Sequence, residues 1–317
     1  MNVPADLSFR NGGTADLAHT FALAERAMHN TSLRSGLVPG TRELTDADIR
    51  ADWLRQRSFV EFMAAQPDGC YVVAEAEGQI VGYARNVRLG EVEELSELMV
   101  APSAQGAGIG RALLEHCWPV APTPDLGRVV IATGAPSDLT LYTNFGVMPV
   151  AGHWHLRQRT ESFLEQRSQE DHTEPGVHVL KPDRAVDEWM RLEPGALGHG
   201  RRALHEFFAR DRTCLGSLDQ STGEAAALCW VSSEGEIGPG VSGEPGDLVP
   251  VVLSALDRVA MTVEPSHLSV YVSTLSWWLL RRLRGLGFKV FWPSWVMCSE
   301  PLPGLDRYVP TRPPHLL

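Results

Sequence analysis

The chain has no apolar run long enough to span a membrane, although 44% of its 317 residues are hydrophobic. It also has no excess of positive charge, because 39 acidic residues outnumber 28 Lys and Arg and give a formal net charge of −11. This balance argues against nucleic acid and anionic membranes as partners, and it favours a cationic acceptor. The N-terminal segment lacks a basic stretch before an apolar one, so we expect no signal peptide and a cytoplasmic protein.

Cysteine is scarce, and the five cysteines are scattered along the chain: Cys70, Cys117, Cys214, Cys229 and Cys298. They form no Cys-x-x-Cys pair and no Cys/His ligand spacing. We therefore expect reduced, mostly buried thiols and no metal site. The rest of the composition is that of an ordinary globular protein, and the length allows two domains with separate cores.

A strand, a glycine-rich loop and a helix follow one another at residues 94–114. Apolar residues dominate the strand: Leu95, Leu98, Met99 and Val100. Pro102 ends it, because proline cannot donate to a strand ladder. Glycines take alternate positions in the loop: Gly106, Gly108 and Gly110. The helix starts near Gly110 with good helix formers.

This loop predicts a phosphate site, because glycines let the backbone approach a ligand and the helix N-terminus favours negative charge. A nucleoside triphosphate loop is excluded, since Gly110 is followed by Arg111 and Ala112 instead of Lys and Ser or Thr. The dinucleotide fingerprint fails as well, because its third glycine would stand at Arg111. The alternative is an ordinary strand–helix turn whose glycines serve packing.

Two segments resemble the GNAT superfamily of N-acetyltransferases. The pattern Gln105-x-x-Gly108-x-Gly110, after a strand ending in Val-x-Pro, is similar to the acetyl-coenzyme A loop of that superfamily. Further on, a helix containing Leu141 and Tyr142 and ending at Gly146 is similar to its second signature, Leu-Tyr-x-x-x-Gly-Phe, with Val147 in the last place. Many relatives carry Asn where this chain has Ala135. The hydrogen bond to the pantetheine arm is then either missing or supplied by Ser137.

The resemblance implies acetyl-coenzyme A (acetyl-CoA) as cofactor. The cofactor-binding residues that it implies are Leu98, Met99, Val100, Gln105, Gly106, Ala107, Gly108, Ile109, Gly110, Arg111, Ser137 and Tyr142.

The order of elements predicted over residues 5–160, β-α-α-β-β-β-α-β-α-β-β, is the order of the resembled superfamily. It includes helices at 15–29 and 46–65, a hairpin at 70–87, closing strands at 147–159 and a loop at 31–42. A polar, apolar-poor stretch follows, and the second half repeats the pattern. We therefore predict an α/β chain of two tandem GNAT folds, each a mixed, mostly antiparallel sheet flanked by helices. The predicted domains are a catalytic domain at 1–160, a linker at 161–176 and a degenerate GNAT-like domain at 177–317.

The second half is predicted to have lost cofactor binding. Its glycine-rich stretch, 238–246, contains Pro239 and Pro245, which remove N–H donors, and Glu244, which with Asp247 repels a pyrophosphate. Leu283 stands where the first half has Tyr142. The alternative is that this half binds coenzyme A in an altered way.

The implied chemistry needs a base, because an amine acceptor with a pKa near ~10.4 is protonated at neutral pH. The acidic strand offers Glu93, Glu94 and Glu97, of which we favour Glu97 over Glu94. In a regular strand Glu94 and Glu97 point to opposite faces unless a bulge intervenes. The resembled superfamily has such a bulge, which would turn the N–H of Met99 or Val100 toward the thioester carbonyl. Tyr142 would protonate the departing thiolate.

The sequence thus predicts an acetyl-CoA-dependent N-acetyltransferase acting on a primary amine of a small molecule, by direct attack in a ternary complex. The acceptor pocket is expected between the strand at 94–100 and the helix at 46–65. The alternatives are a non-catalytic module that binds coenzyme A or acetyl-CoA, and a protein or peptide N-acetyltransferase. We expect a monomer or homodimer with no nucleic acid or membrane partner.

Overall fold

The computed structural model describes residues 6–35, 43–119, 126–169, 176–312 and 316–317. The chain divides into two compact units, Met1–Val130 with Thr140–Val147, and Ile131–Leu139 with Met148–Leu317. Within the described ranges, no helix has the length and apolarity needed to cross a membrane. The same ranges contain no group of three or more His, Cys, Asp and Glu side chains that could hold a metal ion.

The first unit begins with two helices beside a sheet. Its elements are β1 (Ser8–Asn11), α1 (Leu17–Ser35), α2 (Asp46–Ala64), β2 (Cys70–Ala76), β3 (Gln79–Arg88), β4 (Val92–Val100) and α3 (Ile109–Cys117). Strand β5 (Gly127–Thr133) starts in this unit, and helix α4 (Pro136–Thr143) ends in it. The predicted strands and helices are found here with small changes of bounds.

Helix α1 extends into the loop that the sequence predicted at residues 31–42. The Thr31 hydroxyl donates to the Ala27 carbonyl at 3.0 Å, and Ser32 donates to Met28 at 2.9 Å. Such bonds to the preceding turn give the two hydroxyls partners within the helix, which runs to Ser35. Residues 36–42 of the predicted loop lie outside the described residues.

The strands of the first unit pair in the order β1-β2-β3-β4-β5, antiparallel except for the parallel pair β4 and β5. Helix α1 covers one face, where Leu23 and Ala24 pack with Tyr83 of β3. On the other face a Cβ at Gly82 would lie 3.2 Å from Leu113 of α3. The sheet is therefore enclosed between α1 and α3.

The second unit contains β6 (Met148–Arg159), α5 (Thr160–Ser168), β7 (Val177–Val179), α6 (Pro182–Leu197), α7 (Arg202–Phe208), β8 (Thr213–Leu218), β9 (Ala225–Val231), β10 (Ile237–Ser242), α8 (Leu248–Thr262), β11 (His267–Ser273), α9 (Trp277–Gly285), β12 (Lys289–Cys298) and β13 (Tyr308–Val309). Strands β7, β8, β9, β10 and β13 form an antiparallel sheet in that order. Helix α8 supplies much of the core of this unit.

Residues 148–159 differ from the prediction of closing strands for the first half. They form one long strand, β6, which pairs antiparallel with β11 and with β12. Both partners come from the second half of the sequence. Periodicity along one segment does not reveal which distant strand it will pair with, so this pairing was not predictable.

The predicted linker at 161–176, for which the sequence allowed a helical turn, begins with helix α5. In α5, Phe163 is fully buried and its ring lies 5.9 Å from that of Phe288. Arg167 forms a salt bridge of 2.6 Å with Asp257 of α8. The few apolar residues of this stretch suffice for a helix that buries one narrow face. Residues 170–175 of the predicted linker lie outside the described residues, and the domain bounds stay a prediction.

Candidate active site

The glycine-rich loop of the first unit leads into the N-terminus of α3. Gly106 and Gly108 have φ angles of 80° and 83°, a region that L side chains rarely adopt. Gly108 is the N-cap, and a Cβ built on it would meet nothing within 4 Å. The loop therefore faces open space beside the helix N–H groups that have no acceptor within the helix.

Gln105 connects this loop to strand β4 and helix α1 through hydrogen bonds. Its side-chain amide donates to the Val100 carbonyl at 3.2 Å, and Arg34 donates to its side-chain oxygen at 3.2 Å. The Ile109 side chain is buried, whereas Arg111 is exposed. Ala107 and Gly110 are half-buried. The loop therefore offers a ligand mainly its backbone groups, together with the exposed guanidinium of Arg111.

Strand β4 has an open edge beside this loop. Its parallel pairing with β5 runs from Val92 opposite Gly127 to Leu95 opposite Val130 and then stops. The following residues of β4 up to Val100 are paired only with β3 among the described residues. This leaves backbone groups of residues 96–100 available to a ligand.

The strand register shows which backbone groups face that edge. Ala101 donates to the Val81 carbonyl at 2.8 Å, and hydrogen-bonded pairs alternate along an antiparallel ladder. The N–H of Met99 therefore points to β3, while the N–H groups of Leu98 and Val100 point to the open edge. Of the two backbone donors that the sequence offered for the thioester oxygen, this register favours Val100 over Met99.

A β-bulge at Ser96 brings two acidic residues to one face. Glu97 lies opposite Arg85, but Leu95 lies opposite Asn86, so β4 holds one extra residue. Glu94 lies opposite Val87, two residues from Arg85, so Glu94 and Glu97 share the sheet face that carries Arg85. Both glutamates are 6% exposed.

Glu97 is held by a buried cation and a buried phenol. Arg85 donates to one carboxylate oxygen at 2.5 Å, and the Tyr83 hydroxyl donates to the other at 2.7 Å. Burial, with the Glu97 charge, raises the pKa of Tyr83 well above its ordinary value, so this phenol stays protonated. Burial acts to lower the pKa of Arg85, but the Glu97 carboxylate raises it overall. Sequence analysis missed this pair, although alternation in β3 places Tyr83 and Arg85 on one face.

The third acidic residue of the strand has its own partner. Glu93 accepts a bond of 3.3 Å from Arg128 of β5, whose guanidinium lies 5.0 Å from the Trp118 ring centre. This ion pair joins β4 to β5 where the two strands are still paired. Glu93 therefore belongs to the closed part of the sheet.

Tyr142 lies on α4, where it is 8% exposed and belongs to the same compact unit as the loop. Gly146 follows with a φ of 83°, and Val147 donates to the Tyr142 carbonyl at 3.4 Å, which ends the helix. Ser137 is exposed near the start of α4, in residues assigned to the other unit. The roles of Tyr142 and Ser137 stay predictions.

The second half closes the corresponding edge with its own C-terminal segment. Its strand–loop–helix series is β10, residues 243–247 and α8, so the predicted glycine-rich stretch is largely strand. Strand β10 pairs with β13, with Gly240 opposite Val309 and Val241 opposite Tyr308, and β13 also packs against β11. The place beside β10 that matches the open edge of β4 is thus filled.

Two arginines anchor this closing segment. Arg201, buried and bound to Glu193 at 2.8 Å, donates to the Tyr308 hydroxyl. Arg307 donates to the Gly243 carbonyl at 2.6 Å, in the loop before α8. In the same loop, burial and the neighbouring Glu244 raise the pKa of Asp247. These contacts were invisible in the sequence, because no local pattern indicates that a short C-terminal strand returns to β10.

Comparisons with known proteins agree with this geometry. Residues 67–146 match the family model described as an acetyltransferase (GNAT) domain. A solved structure from Pyrococcus horikoshii, described as an acetyltransferase, is 15% identical with a TM-score of 0.66, covering 97% of this chain and 95% of that chain. A tandem GNAT protein from the clavulanic acid biosynthesis pathway is 16% identical with a TM-score of 0.55, covering 93% of this chain and 99% of that chain. A GCN5-related N-acetyltransferase from Sphaerobacter thermophilus is 17% identical with a TM-score of 0.54, covering 96% and 99%. No curated protein matched the chain.

Residues 67–146 therefore contain a GNAT acetyltransferase domain, and this range includes both the Gln105–Gly110 loop and Tyr142. The fold of the chain is shared with tandem GNAT proteins over nearly the whole length, which confirms the predicted fold class. A domain of this family indicates acyltransferase activity, and the family generally binds acetyl-CoA.

Proposed function

We propose that the first half transfers acetyl from acetyl-CoA to a primary amine of a small molecule, by direct attack in a ternary complex. The observation that supports this most is the open edge of β4 beside the glycine-rich loop. A bound acetyl-CoA would supply the acetyl thioester. The open space at Gly108 fits its phosphates, and the outward N–H groups of Leu98 and Val100 fit its carbonyl oxygens.

Residues 105–111 would hold the phosphates through backbone N–H groups and the α3 dipole, with Arg111 adding a positive charge. The N–H of Val100 would donate to the thioester oxygen as negative charge develops on it. Gln105 already occupies the Val100 carbonyl, which keeps this end of β4 fixed.

Glu94 is the better candidate for taking the proton of the attacking amine, directly or through water. Accepting a proton would neutralise Glu97 and leave the buried Arg85 guanidinium without its counter-charge. Losing a partner inside a buried ion pair is costly. We therefore assign proton uptake to Glu94 and the positioning of the shared face to Glu97, which reverses the preference drawn from the sequence.

Tyr142 would give its proton to the departing thiolate. Its position just before the end of α4 holds the ring, because the Gly146 turn fixes the helix terminus. The second half has Leu283 in the matching position and cannot supply this proton.

The second candidate function is a non-catalytic module that binds coenzyme A or acetyl-CoA. The observation that favours it is that Glu97 accepts bonds from both Arg85 and Tyr83. These bonds make Glu97 a poor acceptor for the proton of an amine. Both functions require the protein to bind the cofactor, but only the enzyme would transfer acetyl to an amine.

Acetyl transfer to a panel of small primary amines tests the proposal. We expect turnover by the full chain and a loss of roughly 10²-fold or more in kcat for Glu94→Gln. Glu91→Gln is the matched control, because Glu91 is exposed in the turn before β4 and its backbone bond to Gly127 is retained. Cofactor binding without transfer to any amine would favour the non-catalytic module. Transfer only to peptide N-termini or lysines would move the acceptor to the protein class.

A further inference from the structure

Two of the five cysteines meet in the first unit, away from the open edge of β4. Cys70 is the first residue of β2, and Cys117 is the last residue of α3. The Cys117 thiol donates to the Cys70 sulfur, and the two sulfur atoms lie 3.0 Å apart. Although 47 positions separate them in the sequence, their side chains point directly at each other.

The backbone around the two thiols is fixed by one side chain. Asn86 of β3 donates to the Cys117 carbonyl at 3.1 Å, and its amide oxygen accepts a bond from the Cys70 N–H. Asn86 is itself buried. The contact between the thiols is thus built on hydrogen-bonded main chain in both elements.

We propose that Cys70 and Cys117 form a site of reversible oxidation, which closes to an intramolecular disulfide when a small-molecule disulfide reaches the protein. A disulfide requires side chains that already face each other, because its geometry tolerates little backbone movement. Forming a disulfide between Cys70 and Cys117 would shorten the existing sulfur–sulfur contact between β2 and α3, which are held in place by Asn86.

The two thiols differ in access. Cys70 is half-buried, so a reagent can reach it, whereas Cys117 is buried. The hydrogen bond from Cys117 lowers the pKa of Cys70 and raises the pKa of Cys117, although burial and the Glu93 carboxylate act against the lowering at Cys70. Cys70 is therefore the attacking thiol and Cys117 the resolving thiol.

The reaction proceeds in two exchanges. The Cys70 thiolate attacks one sulfur of the small disulfide, forms a mixed disulfide and releases one small thiolate. Cys117 then loses its proton and attacks the Cys70 sulfur, which releases the second small thiolate. Two protein thiols and one small disulfide become one protein disulfide and two small thiols, and an excess of small thiol reverses the reaction.

Two other thiols of the chain supply an internal control. Cys214 and Cys229 are buried in the second unit, and each thiol donates to the carbonyl of the next residue. They face backbone acceptors, so the proposal predicts that oxidation leaves them as thiols.

The test treats the full folded chain with oxidised glutathione, blocks remaining thiols under denaturing conditions and maps the peptides by mass spectrometry. We expect a cross-linked peptide pair containing Cys70 and Cys117, which disappears on reduction, with Cys214 and Cys229 recovered as blocked thiols. A lasting glutathione adduct at Cys70 with a blocked Cys117 would overturn the proposal, as would two unreacted thiols.

Two variants test the order of attack. Cys117→Ala should stop at a glutathione adduct on Cys70, and Cys70→Ala should leave Cys117 unmodified. Modification of Cys117 in Cys70→Ala would overturn the assignment of Cys70 as the attacking thiol. Thermal unfolding gives a second readout, because cross-linking distant positions constrains the unfolded chain. Oxidation should raise the unfolding midpoint of the parent and leave that of Cys70→Ala unchanged, and an equal rise in both would contradict the site.

Discussion

The groups that form the candidate site are of two kinds. Arg85 and Tyr83 both donate to the buried Glu97, so each carboxylate oxygen has a partner. The loop glycines and the outward N–H groups of β4 form the other kind, since they face open space or an unpaired edge. Cofactor binding is therefore assigned to the second kind and positioning to the first.

Breaking the buried ion pair from one side should destabilise the protein. Arg85→Met removes the cation beside Glu97 and leaves its buried carboxylate without a counter-charge, so we expect a loss of about 3–5 kcal/mol in unfolding free energy. Denaturant titration measures it. The double variant Arg85→Met with Glu97→Gln should recover much of the loss, because the unpaired charge is gone. If the single and double variants are equally unstable, the pair is not the source of the effect.

Tyr142→Phe tests the assigned acid while keeping the ring packing. We expect kcat to fall by roughly 10²-fold or more with cofactor affinity nearly unchanged, because only the proton donor is removed. Tyr271→Phe is the matched control, since Tyr271 is also a buried tyrosine but lies on β11 in the second half. A Tyr142→Phe variant with near-parent kcat, measured where chemistry limits the rate, would remove Tyr142 from the mechanism.

At the scale of elements, strand β13 distinguishes the two halves. The first half leaves the later part of β4 unpaired toward β5, whereas the second half covers β10 with Tyr308 and Val309. The Glu193–Arg201–Tyr308 group holds β13 in place. A strand fixed in this way would have to leave before a ligand could pair with β10.

The anchor of β13 predicts a pH dependence of stability. Burial would raise the pKa of Glu193, but Arg201 and His205 outweigh it and lower this pKa to about 2. A carboxyl whose folded pKa lies below its unfolded value contributes stability above the unfolded pKa, and that stability is lost as pH falls through the folded pKa. The contribution should therefore be complete above about pH 4.3 and fall toward pH 2.

Glu193→Gln isolates this contribution. We expect the variant to be less stable than the parent at neutral pH and the difference between them to shrink as pH falls toward 2, in denaturant titrations at several pH values. A difference that stays constant over this range would show that the charge of Glu193 contributes nothing to the anchor.

The local features of the fold and of the candidate site could be predicted from the sequence. The glycine pattern of residues 105–110 and the Tyr142–Gly146 helix end are short-range signals, and each element lies where it was predicted. The pairing of β6 with β11 and β12, the closing of β10 by β13 and the Arg85–Glu97 pair depend on distant residues. Hydrophobic periodicity carries no information about which distant partner is chosen, so these features came only from the structure.

For the whole molecule, the two halves of the sequence should not be separable at residue 160. A chain of residues 1–160 keeps β6 but loses both of its partner strands, β11 and β12, and exposes two strand edges. We expect such a chain to aggregate or to remain unfolded, as judged by size-exclusion chromatography and circular dichroism. A soluble, monomeric and fully active 1–160 would contradict the role of β6 in the second unit.

The central claim, that acetyl-CoA binds the loop of the first half alone, is tested most directly by calorimetric titration of three proteins. The parent should bind with a single site per chain. Gly108→Asp should lose binding, because the new carboxylate enters the space beside the phosphate site and repels the ligand, and because an L side chain strains the loop at a φ of 83°. Gly246→Asp, in the matching loop of the second half where a Cβ also meets nothing within 4 Å, should bind like the parent. A stoichiometry of two, or binding lost in Gly246→Asp and kept in Gly108→Asp, would contradict the account.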